Sequence, residues 1–313
     1  MDSKLIVTSS PHFRDESSVN KIMLDVIIAL LPATVAGIYF FGLSAVQVLV
    51  LAVLTAVATE AVVQKLLGKP VTINDYSAAL TGLLLGLNLA PSVPWWIPVI
   101  GSVFAIAIVK QVFGGLGRNF MNPALAARIM LTISWTGPMT DWRAPGVDAV
   151  SAATPLSFVK GFAYVPEGAP SIMNAFFGSI GGSLGETSAI CLILGGIYLV
   201  YRGVISAKVP LVYVGTVAAI MLVYGGFDLY FMAYHVFSGG LMIGAIYMAT
   251  DYASGSITPK GRIIFALGCG LITSIIRIYG AYPEGVGFSI LLMNVAAPLI
   301  DRYTSPRVFG EVK

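Results

Sequence analysis

Charged residues are scarce in this sequence. Of 313 residues only 11% are Asp, Glu, Lys or Arg, and 57% are hydrophobic, whereas a soluble globular domain carries about 25% charged residues. So few charges cannot cover the surface of a water-soluble fold. The composition therefore excludes a soluble globular protein and predicts a polytopic membrane protein.

Cysteine and histidine are scarcer still, which limits the metal chemistry. Cys191 and Cys269 each stand alone in an apolar run without a CxxC partner, so this chain alone provides no iron–sulfur or zinc site. His12 and His235 are too few and too far apart to hold a haem between them. A GxxxxGK phosphate loop and a dinucleotide-binding GxGxxG fingerprint are also missing, which argues against nucleotide hydrolysis and NAD binding by this chain.

Long apolar runs, by contrast, are abundant. A membrane-spanning helix needs about 20 mostly apolar residues. The sequence predicts an all-α polytopic membrane protein with about ten transmembrane helices. Their approximate ranges are 22–42, 43–64, 76–91, 95–113, 123–137, 187–201, 208–226, 232–250, 262–280 and 285–300.

The positive charges predict an orientation. If the N-terminus is cytoplasmic and all ten segments cross, 15 of the 18 Lys and Arg residues fall on the cytoplasmic side, and Arg128 is one of these 15. The three exceptions are Arg143, Lys160 and Arg277. This bias is the one that the positive-inside rule requires. We therefore expect both termini in the cytoplasm and the loop 138–186 outside.

The order of the segments predicts five parts. They are a cytoplasmic tail 1–21, a five-helix membrane repeat 22–137, an external loop 138–186, a second five-helix membrane repeat 187–301 and a cytoplasmic tail 302–313. The first tail lacks the apolar core of a cleaved signal peptide, so we expect it to be retained.

Short similarities between the two halves support a duplication. The segment 81–86 resembles 238–244, and 121–124 resembles 293–298. Because each half has an odd number of helices, the copies would be inverted, as in many transporters. The Gly- and Pro-interrupted stretches 76–94 and 237–259 are then candidates for a central site, unless these residues are simply frequent in membrane helices.

Five charged residues lie in or near the predicted spans. They are Asp25, Glu60, Arg128, Asp251 and Arg277. Most lie near helix ends, where a structural role is the first expectation. Asp25 and Glu60 are expected to pair with basic groups, and no acidic series through the membrane predicts a complete ion pathway in this chain alone.

The external loop carries the candidate chemistry. Asp148, Ser151 and Thr154 follow one another at three-residue spacing between alanines, and Pro155 restrains Thr154 to an extended backbone. The loop has no histidine to activate a hydroxyl, which argues against Ser-His-Asp hydrolysis. From the residues alone, Thr154 is either an ordinary helix-capping threonine or a covalent attachment point.

The segment 148–156 resembles the flavin-attachment signature, roughly Asp-x-x-Ser-Gly/Ala-Ala-Thr-x-Leu, of the NqrB/RnfD family of membrane redox subunits. Further similarities lie, in family order, at 10–14, 22–33, 119–125 and 239–252. The resemblance implies FMN joined through its phosphate to the Thr154 hydroxyl by a separate flavin transferase. It also implies that Ser151 and Asp148 lie near the attachment point.

The short N-terminal tail resembles the Rnf branch of the family more than the NqrB branch. The resemblance thus implies an electron-transfer subunit of an ion-translocating (Na+ or H+) ferredoxin:NAD+ oxidoreductase in the inner (cytoplasmic) membrane of a bacterium or archaeon. Implied partners are the bilayer, a second covalent-flavin subunit, iron–sulfur and NAD-binding subunits and the transferase, with no nucleic acid. Alternatives are an NqrB-like subunit of a Na+-translocating NADH:quinone reductase, and a ten-helix solute transporter or channel.

Two further interpretations depend on this resemblance. A second, non-covalent flavin such as riboflavin is a possibility by analogy with the sodium-pumping relatives, and Asn122 and Asn294, at helix starts matched by the repeat, are where we expect it. Arg143 and Lys160 are either neighbours of the FMN phosphate or ordinary loop charges.

Overall fold

The structure is a computed structural model that describes residues 18–143 and 153–305. Helices are the regular elements of these residues. The first half contains α1 (Val19–Phe41), α2 (Leu43–Leu66), α3 (Ser77–Leu87), α4 (Trp96–Gln111), α5 (Pro123–Ser134), α6 (Thr136–Thr140), α7 (Pro155–Val159) and α8 (Ile172–Phe177). The second half contains α9 (Ala189–Tyr201), α10 (Lys208–Tyr224), α11 (Leu229–Phe237), α12 (Leu241–Met248), α13 (Pro259–Tyr279) and α14 (Val286–Thr304).

Three of these helices, α1, α2 and α13, are long and apolar enough to cross a membrane. A fourth span results if α11 and α12, bent by 65° at a short break, are counted together. The all-helical prediction is confirmed, and all ten predicted segments overlap a helix or a broken helix. Several helices are shorter than predicted, among them α3 and α5, with 11 and 12 residues.

Side-chain caps explain where several helices begin. Ser18 accepts a hydrogen bond from the Lys21 N–H at the start of α1, and Thr258 accepts one from Gly261 at the start of α13. Asn122 caps α5 in the same way, with Pro123 directly after it. Such caps satisfy backbone donors that have no partner inside the helix.

Helices of the two halves pack against each other, and two of these contacts join predicted membrane segments. Helix α1 lies against α9, and α14 lies against α5. Gly195 of α9 has no room for a Cβ atom, because that atom would overlap the Ala29 carbonyl oxygen of α1. At the second contact the Asn122 N–H donates to the Asn294 side-chain oxygen at 3.2 Å.

The end of the loop predicted to be external is buried within the protein. Residues 180–189 are almost wholly enclosed. The N–H of Leu184 donates to the carbonyl of Leu89, and that of Gly185 donates to Leu87. These bonds satisfy backbone groups where α3 ends, so the loop 138–186 returns into the helices before α9 begins.

Candidate functional site

Thr154 lies at the position before α7, with φ −67° and ψ 152°. This extended backbone is the one that Pro155 was expected to impose. The position is that of a helix cap, yet the Thr154 side chain makes no capping hydrogen bond. Its hydroxyl lies 3.3 Å from the Ser157 hydroxyl, and the side chain is half-buried. The structure therefore does not give this hydroxyl the role of an ordinary cap.

Thr154 lines a cavity of about 40 Å³. The walls come from parts of the chain that are far apart in sequence. They are formed by Arg128, Trp142, Thr154, Pro155, Leu156, Ile180, Gly181, Glu186, Gly239, Pro283 and Glu284. Three of the lining residues, Arg128, Glu186 and Glu284, carry a formal charge, so Thr154 shares its cavity with charged groups.

Arg128, in α5, lies in the wall of this cavity and bonds to Asn88 after α3 and to Glu186 before α9. Its Nη1 donates to the Asn88 side-chain oxygen at 2.8 Å, and its Nη2 donates to the Glu186 carboxylate at 3.0 Å. Both charged side chains are largely buried. The orientation prediction counted Arg128 on the cytoplasmic side, away from Thr154. In the structure Arg128 lines the same cavity as Thr154.

Glu284 forms the second charged wall. Its carboxylate accepts a hydrogen bond from the Gly240 N–H at 2.7 Å and lies 3.2 Å from the Arg277 guanidinium. Burial alone raises the pKa of the Glu284 carboxyl, but Arg277 and the backbone N–H groups outweigh burial and hold the pKa below its ordinary value. Glu284 is therefore a fixed negative charge. We call Asn88, Arg128, Glu186, Arg277 and Glu284 the Arg128 cluster.

The Arg128 cluster joins the two predicted helix breaks. Asn88 follows the last residue of α3, and Gly239 and Gly240 lie between α11 and α12. Gly239 has φ +71°, and a Cβ atom there would overlap both Glu284 and Leu156. The sequence placed a central site and the Thr154 loop in different regions. The structure brings the breaks and Thr154 together in one site.

Several buried polar atoms around this site have no hydrogen-bond partner within the described part of the chain. They belong to Ser183, Ser188, His235, Ser238 and Arg277. Ser183 and Ser188 lie within three residues of Glu186, and His235 and Ser238 lie at the end of α11. Arg277 belongs to α13 and donates to the carbonyl groups of His235 and Ser238. Unpaired buried polar groups are uncommon and call for an explanation such as a bound group or water.

The other predicted loop residues are not brought to the cavity. Ser151 and Asp148 lie outside the described residues. Lys160 donates to the carbonyl of Tyr282, and partial burial lowers the pKa of its ammonium group. Arg143 lies 4.0 Å from Asp141, and both side chains are exposed. Neither basic residue lines the cavity, so the geometry favours ordinary loop charges for both.

Asn122 and Asn294, predicted to lie near a second flavin, are in contact and buried. The expectation that both stand at helix starts was wrong for Asn294, which is well inside α14 and donates to the carbonyl of Ser254. Asn122 lines a separate cavity. Its polar lining is completed by Ser77, Thr81, Lys110, Asn119, Tyr247, Thr250, Asp251 and Tyr252.

The predicted pairing of the acidic residues in the spans is confirmed. Asp25 lies 3.2 Å from Arg202 and accepts a hydrogen bond from Tyr198. Glu60 lies 2.8 Å from Lys110. We call the network around this second pair the Lys110 cluster. It consists of Glu60, Gln64, Ser77, Lys110 and Gln111.

Three functional candidates were missed by sequence reasoning: Asn88, Glu186 and Glu284. Glu186 had a usable signal, since an acidic residue directly follows the glycine-rich stretch 181–185 in a chain poor in charge. Asn88 and Glu284 have none beyond their polarity next to apolar helices. Their partners lie far away in sequence.

Comparison with known proteins connects this site to a family. Residues 6–310 match the NQR2, RnfD, RnfE family. The D subunit of the Na(+)-translocating ferredoxin:NAD(+) oxidoreductase complex of Acetobacterium woodii is 54% identical over 99% of this chain and 96% of its own length. The D subunit of the proton-translocating ferredoxin:NAD(+) oxidoreductase complex of Clostridium ljungdahlii is 48% identical over 97% and 96%.

The similarity extends to more distant organisms. The D subunit of the ion-translocating oxidoreductase complex of Stutzerimonas stutzeri is 41% identical over 94% of this chain and 93% of its own length. The resemblance seen in the loop and helix motifs is thus confirmed over nearly the whole sequence, and the chain belongs to the NQR2, RnfD, RnfE family.

Proposed function

We propose that this chain is the D subunit of an ion-translocating ferredoxin:NAD+ oxidoreductase of the Rnf type, and that it relays electrons through an FMN esterified to Thr154. Support for the complex comes from relatives that match this chain over nearly their whole length and are named as its D subunit. One is named for Na+ and the other for H+, so the proposal covers both ions.

The observation that carries the flavin part of the proposal is that the Thr154 hydroxyl makes no capping hydrogen bond to the backbone of α7. A threonine at a cap position normally uses its oxygen on the helix N–H groups. Here that oxygen is uncommitted to the backbone and lies at a charged cavity. Among the described residues, a phosphoester at this oxygen disturbs the 3.3 Å contact with Ser157 and no other hydrogen bond of the side chain.

FMN supplies reversible electron uptake when it is bound, and the protein supplies position and electrostatics. The cavity of about 40 Å³ has room for a few water molecules but not for a tricyclic ring. A ring tethered at Thr154 therefore lies over the mouth of the cavity. Pro155 and Leu156 are buried and hold the attachment point in place, so the tether starts from a rigid base.

We propose that ten segments cross the membrane in two inverted repeats, 22–137 and 187–301, with cytoplasmic tails 1–21 and 302–313 and the Thr154 loop outside. The contacts of α1 with α9 and of α5 with α14 support such an arrangement, because they join equivalent helices of the two halves. The short helix α3 and the broken helix α11–α12 occupy matching positions in the proposed repeats.

The partners follow from what this chain lacks. It needs iron–sulfur and NAD-binding subunits, a second covalent-flavin subunit and a flavin transferase. We propose that a second, non-covalent flavin such as riboflavin binds at the mouth of the cavity lined by Asn122, since that cavity, at about 90 Å³, does not enclose a tricyclic ring either. Its Ser, Thr, Asn and Tyr side chains suit the amide and carbonyl groups of a flavin ring.

The experiment is to express the chain with its transferase and examine it on a denaturing gel under ultraviolet light. We expect a fluorescent band for the parent and none for Thr154→Ala. Ser157→Ala is the matched control, since it removes a neighbouring hydroxyl and should keep the fluorescence. A dark parent band would favour a transporter without a redox role, and a fluorescent Thr154→Ala band would exclude Thr154 as the attachment point.

A further inference from the structure

The two acidic residues in the wall of the Thr154 cavity are neutralised differently. Glu284 has a full set of internal partners, namely Arg277 and the backbone N–H groups of Gly240, Gly285 and Val286. Glu186 has Arg128 as its one side-chain partner among the described residues, and Arg128 has Glu186 and Asn88. The charges of Arg128 and Glu186 therefore depend on each other.

We propose that the Arg128–Glu186 pair sets the midpoint potential of the flavin at Thr154, with Arg128 raising it and Glu186 lowering it. This inference rests on the proposed function, in which Thr154 carries the flavin. It assigns to the pair a role as redox-tuning residues that act through space and do not bond to the reacting atoms.

The physical reason is the charge that reduction adds. Uptake of one electron gives the flavin one more negative charge unless a proton follows. A nearby guanidinium favours this change, and a nearby carboxylate opposes it. The Arg128 and Glu186 side chains are only 13% and 6% exposed, and charge interactions in such surroundings are several times stronger than in water.

The remaining charged groups near Thr154 are less suited to this role. Arg277 does not line the cavity, and it donates to Glu284 and to the carbonyl groups of His235 and Ser238. Lys160 does not line the cavity and donates to Tyr282. Arg128 is the basic residue in the cavity wall, and part of its five-donor guanidinium has no protein acceptor among the described residues.

Removing one member of the pair exposes the charge of the other. Arg128→Gln leaves the Glu186 carboxylate uncompensated and should make the flavin harder to reduce. Glu186→Gln leaves the Arg128 guanidinium uncompensated and should make it easier to reduce. Both changes break the same ion pair, so a purely structural role predicts similar damage from each. Opposite shifts identify an electrostatic role.

The test is a redox titration of the full-length chain, flavinylated by its transferase and purified in detergent, with the flavin absorbance as the signal. Thr154→Ala protein gives the background from any other flavin. At a fixed applied potential we expect the ratio of reduced to oxidised flavin to fall at least tenfold in Arg128→Gln. It should rise at least tenfold in Glu186→Gln. For a one-electron step tenfold corresponds to 59 mV.

Arg202→Gln is the control, because Arg202 is also paired with a carboxylate but lies at the other end of α9, roughly 20 Å from Glu186. It should leave the potential unchanged. If Arg128→Gln does not fold, Arg128→Lys, which keeps the charge, should match the parent while Glu186→Gln still shifts upward.

Two failures can be told apart. Equal shifts of the same sign, or no shift in fully flavinylated variants, would overturn this inference alone. A parent protein without covalent flavin would overturn the proposed function and this inference together.

Discussion

The Lys110 cluster and the Arg128 cluster are both buried charge networks, but they differ in how completely their groups are paired. In the Lys110 cluster the ammonium group lies 2.8 Å from Glu60 and donates to Ser77, while Gln111 donates to Glu60. Within the described part of the chain, no buried side-chain atom of that cluster lacks a partner. Around the Arg128 cluster several buried atoms do. Both clusters reach a cavity, the Lys110 cluster through Ser77 and Lys110.

This difference separates a structural network from a functional one. A fully paired network fixes the packing of the helices that contribute to it, here α2, α3 and α4. A network with unpaired donors keeps interactions available for another group. The two clusters therefore predict different consequences when they are broken.

The largest effect on stability is expected from Lys110→Met. The substitution leaves Glu60 as a buried charge without its partner, and breaking a buried pair in this way costs about 3–5 kcal/mol. Glu60 is 1% exposed, so water cannot replace the lost partner. Chemical unfolding of the purified chain in mixed micelles measures the change.

The double variant Glu60→Met with Lys110→Met is the control for this prediction. It removes both charges and should recover most of the stability, since apolar pairs often replace buried ion pairs without loss. Parent-like stability of the single variant would contradict the structural role given to the Lys110 cluster.

A smaller loss of stability, accompanied by a loss of flavin, is expected from Gly239→Ala, a substitution beside the Arg128 cluster. The new Cβ atom would overlap Glu284 and Leu156, so the segment carrying Thr154 must shift. We expect less flavin on Thr154 and a loss of about 1–3 kcal/mol from overpacking, beyond the cost of the positive φ. In-gel fluorescence per unit of protein and the unfolding free energy are the measurements.

Gly226→Ala is the matched control for Gly239→Ala. Gly226 has a similar φ of +66° and nothing within 4 Å of the added atom. It should cost about 1–2 kcal/mol from the left-handed backbone alone and leave the flavin content unchanged. Equal flavin loss in both variants would show that the contact with the Thr154 segment is unimportant.

The smallest effect is expected from Arg202→Gln. This residue pairs with Asp25 but is 49% exposed, and exposed ion pairs contribute about 0–1 kcal/mol. The unfolding free energy should therefore change by less than about 1 kcal/mol. A loss as large as that of Lys110→Met would mean that exposure does not distinguish the two pairs.

Local features of the fold could be predicted from the sequence. The apolar runs gave the helices, Pro155 gave the backbone of Thr154, and the isolated acidic residues Asp25 and Glu60 were expected to be paired. Each of these depends on composition, on an adjacent residue or on the cost of an unpaired charge in apolar surroundings.

The assembly of the Arg128 cluster could not be predicted in the same way. Arg128 meets Glu186 across 58 residues and Asn88 across 40, and no periodicity encodes such long-range contacts. The charge count considered only the position of Arg128 along the chain, and its pairing with Glu186 and Asn88 inside the protein was not expected. For the same reason the return of 180–189 into the helices was missed.

The central claim is that Thr154 carries the flavin, and peptide mass spectrometry tests it most directly. Trypsin cleavage after Arg143 and Lys160 releases the peptide 144–160, which contains Ser151, Thr154 and Ser157. We expect this peptide from the native complex to carry one FMN phosphoester, and fragmentation to assign it to Thr154. An unmodified peptide, or FMN on Ser151 or Ser157, would contradict the claim that Thr154 carries the flavin.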